Sequence, residues 1–341
     1  MLSRVALRSR PVAQAALART TPATIMSSRR MYATSKPDDA KADKVKSITV
    51  FGAGLMGSGI VQVAATSGYK VVMTDVTEKA LENGMNIIHK SLARVAKKMA
   101  PKAEKSEEDW KQQVLERITT SQDPAEAVQN ADLVIEAIIE NLKIKQDLFA
   151  FLDSKANKDC IFASNTSALS VAEISSKCSE DRRTRFAGVH FMQPVPAMRL
   201  VEIIKAPKTD PEIIEILLAI TARMGKSPVN CLDTPGFIVN RLLIPYLMES
   251  VRMLERGEAT AEDIDQAMEL GTGHPMGPFK LLDFIGLDTA SHIVSGWQDK
   301  ADQGLIDKKL VEPSPLMQKM IEEGRLGRKS GRGFYDYSSK L

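Results

Sequence analysis

The stretch that decides the fold is Ser47-Ile-Thr-Val-Phe51-Gly52-Ala-Gly54-Leu-Met-Gly57, followed by residues 58–67 and then by Lys70-Val-Val-Met-Thr74-Asp75. A short apolar, β-branched run reads as a strand; it breaks on three glycines, and the residues after them read as a helix. A second strand then closes on an acid, about 20 residues past the glycines. Three glycines at this spacing are weak evidence alone. Set between strand and helix, with that acid following, they become a specific signal.

Each position has a physical reason. Gly52 permits the tight turn, Gly54 lets backbone N–H groups approach a pyrophosphate, and Gly57 lets helix and strand pack closely. The N-terminus of the helix that follows faces the phosphate charge, and Leu55 and Met56 in the turn before it are candidate cofactor-binding residues with the glycines. Asp75 would accept hydrogen bonds from ribose hydroxyls, and its charge would repel a 2′-phosphate, so NAD is implied rather than NADP. The competing reading is a glycine turn without a ligand, with Asp75 capping the next helix.

The alternation continues outward. Residues 77–99 read as a long amphipathic helix, 118–121 and 131–136 as strands, 142–156 as a helix, and 160–163 and 185–189 as further strands. This predicts an α/β fold: a Rossmann-type doubly wound, mostly parallel sheet over residues 47–233. Ligands of such sheets lie beyond the carboxyl ends of the strands, where Glu140-Asn141, Asn165-Thr-Ser167 and His190 fall. From Pro235 the pattern changes to helices over residues 237–255, 261–270, 278–294 and 314–323, punctuated by Gly236 and Gly257. The expectation is a C-terminal all-helical domain over residues 234–341.

A length of 341 residues fits two domains, and 43% hydrophobic with 26% charged residues fits an ordinary soluble globular chain. No apolar run is long enough to span a bilayer. The formal charge of +3 conceals an asymmetry. Residues 1–32 carry Arg4, Arg8, Arg10, Arg19, Arg29 and Arg30, no acid, and much Ala, Ser and Thr, which is the composition of a mitochondrial transit peptide. Arg30-Met31-Tyr32-Ala33 resembles a matrix-protease site. Its use would leave 40 basic and 43 acidic side chains, with no global basic character to draw the chain to nucleic acid. A disordered basic tail on a cytosolic enzyme is the alternative. Residues 33–46 read as a solvated linker. Cys160, Cys178 and Cys231 are too few and scattered for a disulfide framework or zinc site and suit a reducing compartment such as the matrix; His89, His190, His274 and His292 form no local metal signature.

The candidate chemistry lies in Val189-His190-Phe-Met-Gln-Pro-Val-Pro-Ala-Met-Arg-Leu-Val-Glu202. His190 follows a strand, Pro194 and Pro196 stiffen the turn, and a returning strand carries Glu202 among apolar residues. A buried carboxylate needs a partner, and a histidine is a sensible one. Glu202 would orient the ring and favour the imidazolium, so that His190 could take a hydroxyl proton while hydride leaves the same carbon for a nicotinamide. A purely structural hydrogen-bonded pair is the alternative. His274, with nothing nearby to activate it, reads as structural.

These motifs together resemble the L-3-hydroxyacyl-CoA dehydrogenase family, from Ser47 onward and in the family's order: Gly52-Ala-Gly-Leu-Met-Gly57, Glu136-Ala-Ile-Ile-Glu-Asn-Leu-Lys143, Ser164-Asn-Thr-Ser167, His190-Phe to Glu202, Asp233-Thr-Pro-Gly-Phe-Ile-Val-Asn-Arg241, His274-Pro-Met-Gly-Pro278 and Lys329-Ser-Gly-Arg-Gly-Phe-Tyr335. The resemblance implies NAD-dependent oxidation of (3S)-3-hydroxyacyl-CoA in mitochondrial fatty-acid β-oxidation, by a homodimer joined through its helical domain. It implies His190 and Glu202 as the catalytic pair and Ser167 and Asn240 at the substrate's reacting end, with Ser167 also facing the cofactor. It implies Glu140, Lys145 and Lys329 at the cofactor site, and Ser91 and Lys98 holding coenzyme A. Without the resemblance, Lys97-Lys98 reads as a solvated helix face. One position departs: the family has Asn before the Pro-x-Pro turn, and this chain has Gln193. That leaves two further readings, a 3-hydroxybutyryl-CoA dehydrogenase of narrow short-chain specificity and a catalytically weakened NAD- or CoA-binding protein.

Overall fold

The computed structural model describes residues 38–338. The expected transit peptide lies outside the described residues. Eight strands form one sheet: β1 Ser47–Phe51, β2 Lys70–Thr74, β3 Ile118–Ser121, β4 Leu133–Glu136, β5 Ile161–Ser164, β6 Phe186–Phe191, β7 Leu200–Lys205 and β8 Ser227–Leu232. Their order is β3-β2-β1-β4-β5-β6-β7-β8. Every pairing is parallel except β6 with β7. The doubly wound, mostly parallel sheet expected from the alternation is what the chain forms. Strand order reverses between β1 and β4, which opens a crevice beyond their carboxyl ends.

Central strands show why the sequence chooses this arrangement. Leu133-Val-Ile-Glu136 and Ile161-Phe-Ala-Ser164 are buried at every position, because helices cover both faces of the sheet. Those helices include α1 Leu55–Thr66, α2 Glu78–Met99, α3 Glu107–Leu115, α4 Leu142–Asp153 and α5 Pro211–Arg223. On one face Phe186 packs edge to face against Phe149 and Phe162, with ring centroids 4.6 Å apart for Phe149 and Phe186.

Beyond the sheet the chain is helical: α6 Val239–Glu255, α7 Ala261–Thr272, α8 Pro278–Ile285, α9 Leu287–Asp302 and α10 Pro315–Glu322. Their shared core includes Leu247, Val251, Phe279, Leu282, Leu287 and Trp297. No described helix is long and apolar enough to cross a membrane.

Two expectations need correction. The single helix expected over residues 278–294 is two helices, α8 and α9, because Gly286 between them has φ +98° and breaks the helical path. The solvated linker expected over residues 33–46 is, from residue 38 on, a docked segment. A helical turn, Asp39–Ala42, buries Ala42 and Val45 completely and packs on α5. Arg223 pairs with Asp43 at 2.9 Å and Asp39 at 3.3 Å, while Lys41 and Lys44 pair with Glu215 and Glu212. A polar composition concealed two apolar residues with a place to go.

Candidate active site

The glycine-rich turn has the shape its sequence predicts. Gly52 has φ +104°, and a Cβ there would lie 2.5 Å from the Ala137 carbonyl oxygen. A Cβ on Gly57 would come within 1.7 Å of the Gly52 oxygen, so no side chain is tolerated there. Gly54 faces open space, and as N-cap of α1 it offers no side chain to the free N–H groups of Leu55, Met56 and Gly57. That is an anion cradle of backbone donors at a helix N-terminus. Asp75, at the end of β2, accepts from the Ala53 N–H at 2.7 Å and the Val76 N–H at 2.7 Å, which fixes its carboxylate beside the turn with further lone pairs to spare. Shape and charge both fit an NAD adenosine and pyrophosphate.

His190 lies near the end of β6 and pairs across the antiparallel ladder with Glu202 on β7. Register alone therefore places the two side chains side by side. Nδ1 of His190 is 2.7 Å from Oε2 of Glu202. Glu202 is fully buried, and its other oxygen accepts the N–H groups of Ile238 and Val239, each at 2.9 Å, at the entrance to α6. Burial pushes against its charge, but the His190 bond and these two N–H donors outweigh it and hold the carboxyl below the usual glutamate range. An ionised carboxylate only accepts, so Nδ1 carries the hydrogen and Nε2 is left free to take a proton. Phe237 lies against the imidazole, 5.9 Å between centroids.

The ends of β4 and β5 carry a second charged group. Glu140 Oε1 accepts from the Thr166 hydroxyl at 2.6 Å and the Ser167 N–H at 3.0 Å, with the Ser167 hydroxyl looser at 3.5 Å. Lys145 reaches Glu140 at 2.8 Å and Glu136 at 2.9 Å. Burial again opposes the charge of Glu140, and the Lys145 ammonium with the two hydroxyl-loop donors lowers its pKa overall. Asn240, in the first turn of α6, donates to the Ser167 carbonyl at 3.1 Å. Asn165 Oδ1 accepts from the Phe191 N–H at 2.9 Å and so ties this loop to the His190 strand.

The structure thus brings together His190, Glu202, Ser167, Asn240, Glu140 and the glycine turn. Lys145, expected to line the cofactor, lies wholly beneath the surface and reaches the crevice only through Glu140. Lys329 is held by Asp288 at the α8–α9 break, with no hydrogen bond or ion pair to the strand-end groups among the described residues. Ser91 is buried on α2, and Lys98 lies exposed two turns further along it. Gln193 is exposed on the loop after His190. His274 meets the Tyr246 hydroxyl at 3.4 Å and no catalytic group. Burial pushes all three thiols up to about 12, so none is a ready nucleophile. Sequence reading gave no role to Glu136, Thr166 or Asn165. For Glu136 the signal was present: an acid ending the apolar strand Leu133-Val-Ile-Glu136 needs a partner as much as Glu202 does.

Residues 47–234 match the family model described as 3-hydroxyacyl-CoA dehydrogenase, NAD binding domain, and residues 236–337 match that family's C-terminal domain. The mitochondrial hydroxyacyl-coenzyme A dehydrogenase of Sus scrofa is 49% identical over 298 residues, 87% of this chain and 93% of that protein. The Homo sapiens protein of the same name is 49% identical over 310 residues, 90% of this chain and 97% of that one. Among solved structures, an (S)-3-hydroxybutyryl-CoA dehydrogenase from Ralstonia eutropha superposes with a TM-score of 0.79 at 37% identity, covering 86% of this chain and 99% of its own. A nucleotide cradle three strands from a histidine–carboxylate pair, in a chain matched from end to end of the described fold, makes this protein a member of the 3-hydroxyacyl-CoA dehydrogenase family of NAD-dependent oxidoreductases.

Proposed function

We propose that the chain oxidises (3S)-3-hydroxyacyl-CoA to 3-oxoacyl-CoA with NAD+, and that His190 is the general base. The observation that carries this is the 2.7 Å bond from His190 Nδ1 to a buried, ionised Glu202, which leaves Nε2 as the acceptor. NAD+, when bound, supplies the hydride acceptor. His190 takes the substrate's 3-hydroxyl proton on Nε2 as the C3–H bond breaks, and the imidazolium so formed is balanced by Glu202. In the reverse direction the same proton returns to the forming alkoxide. Ser167 and Asn240 hold the 3-oxygen, with the Ser167 hydroxyl only loosely committed to Glu140. Gly52, Gly54, Leu55, Met56, Gly57 and Asp75 hold the dinucleotide, with Glu140 and Lys145 behind it and Lys329 closing from the helical side. Ser91 and Lys98 hold the coenzyme A moiety, where the Lys98 ammonium meets phosphate.

The mitochondrial relatives support a mitochondrial protein, and the acid-free, arginine-rich residues 1–32 support the matrix. Exposed Leu242, Leu270 and Phe284 in the helical half support a homodimer through that domain. A short-chain preference is the second reading, supported by the likeness to the Ralstonia eutropha enzyme. The test is NADH oxidation by protein lacking residues 1–32, with acetoacetyl-CoA and longer 3-oxoacyl-CoAs beside His190→Ala. Turnover lost in the variant establishes the reading and ranks chain lengths; NADH binding without turnover on any chain length sinks it.

A further inference from the structure

Between the glycine turn and His190 lie two strands whose ends carry two acids and a single lysine, the lysine and one acid fully buried. Glu136 closes β4 and is fully buried. Every partner it has is a donor: the Lys145 ammonium at 2.9 Å, the Ser164 hydroxyl at 2.6 Å and the Ile138 N–H at 2.8 Å. The ammonium and the N–H can only donate, both to Oε1, and the ammonium makes this contact an ion pair. Lys145 is fully buried too, and is shared between Glu136 and Glu140. Two carboxylates against one ammonium leave a net negative charge, with Glu136 and Lys145 beneath the surface and Glu140 carrying it to the crevice, its side chain 36% exposed.

The topology decides what that charge faces. The glycine turn closes β1, His190 is on β6, and β4 and β5 lie between them. The β1 and β4 ends touch, since a Cβ on Gly52 would strike the Ala137 carbonyl. A dinucleotide with its pyrophosphate at the β1 end and its reactive ring beside His190 must cross the ends of β4 and β5. The nicotinamide ring is positively charged in NAD+ and neutral in NADH. A fixed negative charge nearby therefore acts on one redox state and hardly on the other.

We propose that Glu136 is a positioning residue that sets the redox preference of the dinucleotide site: the uncompensated charge it shares with Lys145 and Glu140 favours NAD+ over NADH. It touches no substrate and works through Lys145 and Glu140. The inference rests on the dehydrogenase reading above.

The experiment is equilibrium binding of NAD+ and of NADH to the full-length protein and to Glu136→Gln, by calorimetry, with thermal denaturation to verify folding. Gln keeps the shape and an acceptor for Lys145 and removes the charge. The expected result is an NAD+ dissociation constant raised about three- to tenfold, with that for NADH moved less than about twofold. Asp147→Asn, an exposed acid on the same helix α4, should leave the ratio unchanged. Should Glu136→Gln fail to fold, Glu140→Gln removes the same unit of charge and must weaken NAD+ more than NADH. Equal weakening of both states by either variant makes the role structural and overturns the inference. Wild-type protein that binds neither nucleotide overturns the dehydrogenase reading instead.

Discussion

Both halves of the molecule bury carboxylates, and they use them for opposite purposes. At the sheet ends, Glu202 and Glu136 each face a group that carries or can acquire a positive charge, His190 and Lys145. In the helical half, Asp265 and Asp283 face only fixed donors. Asp265 accepts the Phe279 and Lys280 N–H groups at the start of α8 and the Tyr335 hydroxyl at 2.7 Å. Asp283 accepts the Phe334 and Tyr335 N–H groups, each at 2.9 Å, and the Tyr337 hydroxyl at 3.1 Å. These bonds pin the C-terminal segment onto the helices. The titration of the two acids follows the difference. Burial pushes Asp283 up, and its donors do not offset it, whereas His190 and two backbone donors bring Glu202 down. A buried acid is poised for chemistry when its partner can change charge, and for architecture when its partners cannot.

The largest expected effect is at the partner that changes charge. His190→Gln should lower kcat by about 10²–10⁴-fold, the range of general-base catalysis. NADH binding and the melting temperature should stay close to wild type, since Gln can still donate to Glu202. Steady-state kinetics beside calorimetry measure both, and retained turnover would return the His190–Glu202 pair to a structural role.

Glu202→Gln breaks the comparison from the other side. Its amide must place an NH2 against one of two sets of donors, so both orientation of the ring and attachment of α6 suffer. We expect kcat to fall about 10²-fold and stability by about 1–3 kcal/mol, the cost of a buried donor left unpaired. The pH dependence has a definite sign. With the folded pKa of Glu202 below its unfolded value, its stabilisation is present above the ordinary glutamate range and is lost as pH falls through the folded value. Thermal melts of wild type on the acid side should therefore fall more steeply with decreasing pH than those of Glu202→Gln. Parallel curves would mean that Glu202 is not the ionised partner of His190.

Asp283→Asn is the counterpart in the helical half, with a smaller reach. It should cost about 1–3 kcal/mol, for the same reason of a mismatched donor, while leaving kcat within about twofold at temperatures where the protein is folded. A catalytic loss comparable to that of Glu202→Gln would erase the distinction between the two halves.

The division between what sequence reveals and what it hides follows the same line. The glycine turn, Asp75 and the His190–Glu202 pair were legible because each is a local pattern whose placement is set by strand ends and ladder register. The helix break at Gly286 was not, because a single glycine inside an apolar periodicity is tolerated in many helices, and nothing local distinguishes those from one that takes φ +98°. The docked segment before β1 was hidden by its charge, since its three ion-pair partners, Glu212, Glu215 and Arg223, lie on α5, 168 to 184 residues away in sequence. Glu136 was written into an apolar strand and could have been read as Glu202 was. What sequence withheld there was Lys145, which arrives from the next helix to complete the group.

The smallest effect is expected at Gln193, where the family resemblance implies Asn. Gln193 lies on the loop Met192–Arg199, yet that loop is anchored without its side chain. Lys226, buried on the approach to β8, donates to the Val195 and Met198 carbonyls. Val195 seats against Gly59 of α1, where a Cβ would lie 2.7 Å away. The backbone beside His190 is thus fixed by groups that do not depend on residue 193, and the exposed amide can move to compensate for one added methylene. Gln193→Asn should therefore change kcat/KM by no more than about threefold on any chain length, well below the orders of magnitude a misplaced catalytic group costs. A gain of about tenfold or more, confined to one class of acyl chain, would make Gln193 a determinant of substrate choice and shift the specificity of this site from the helical half to the loop that follows the base.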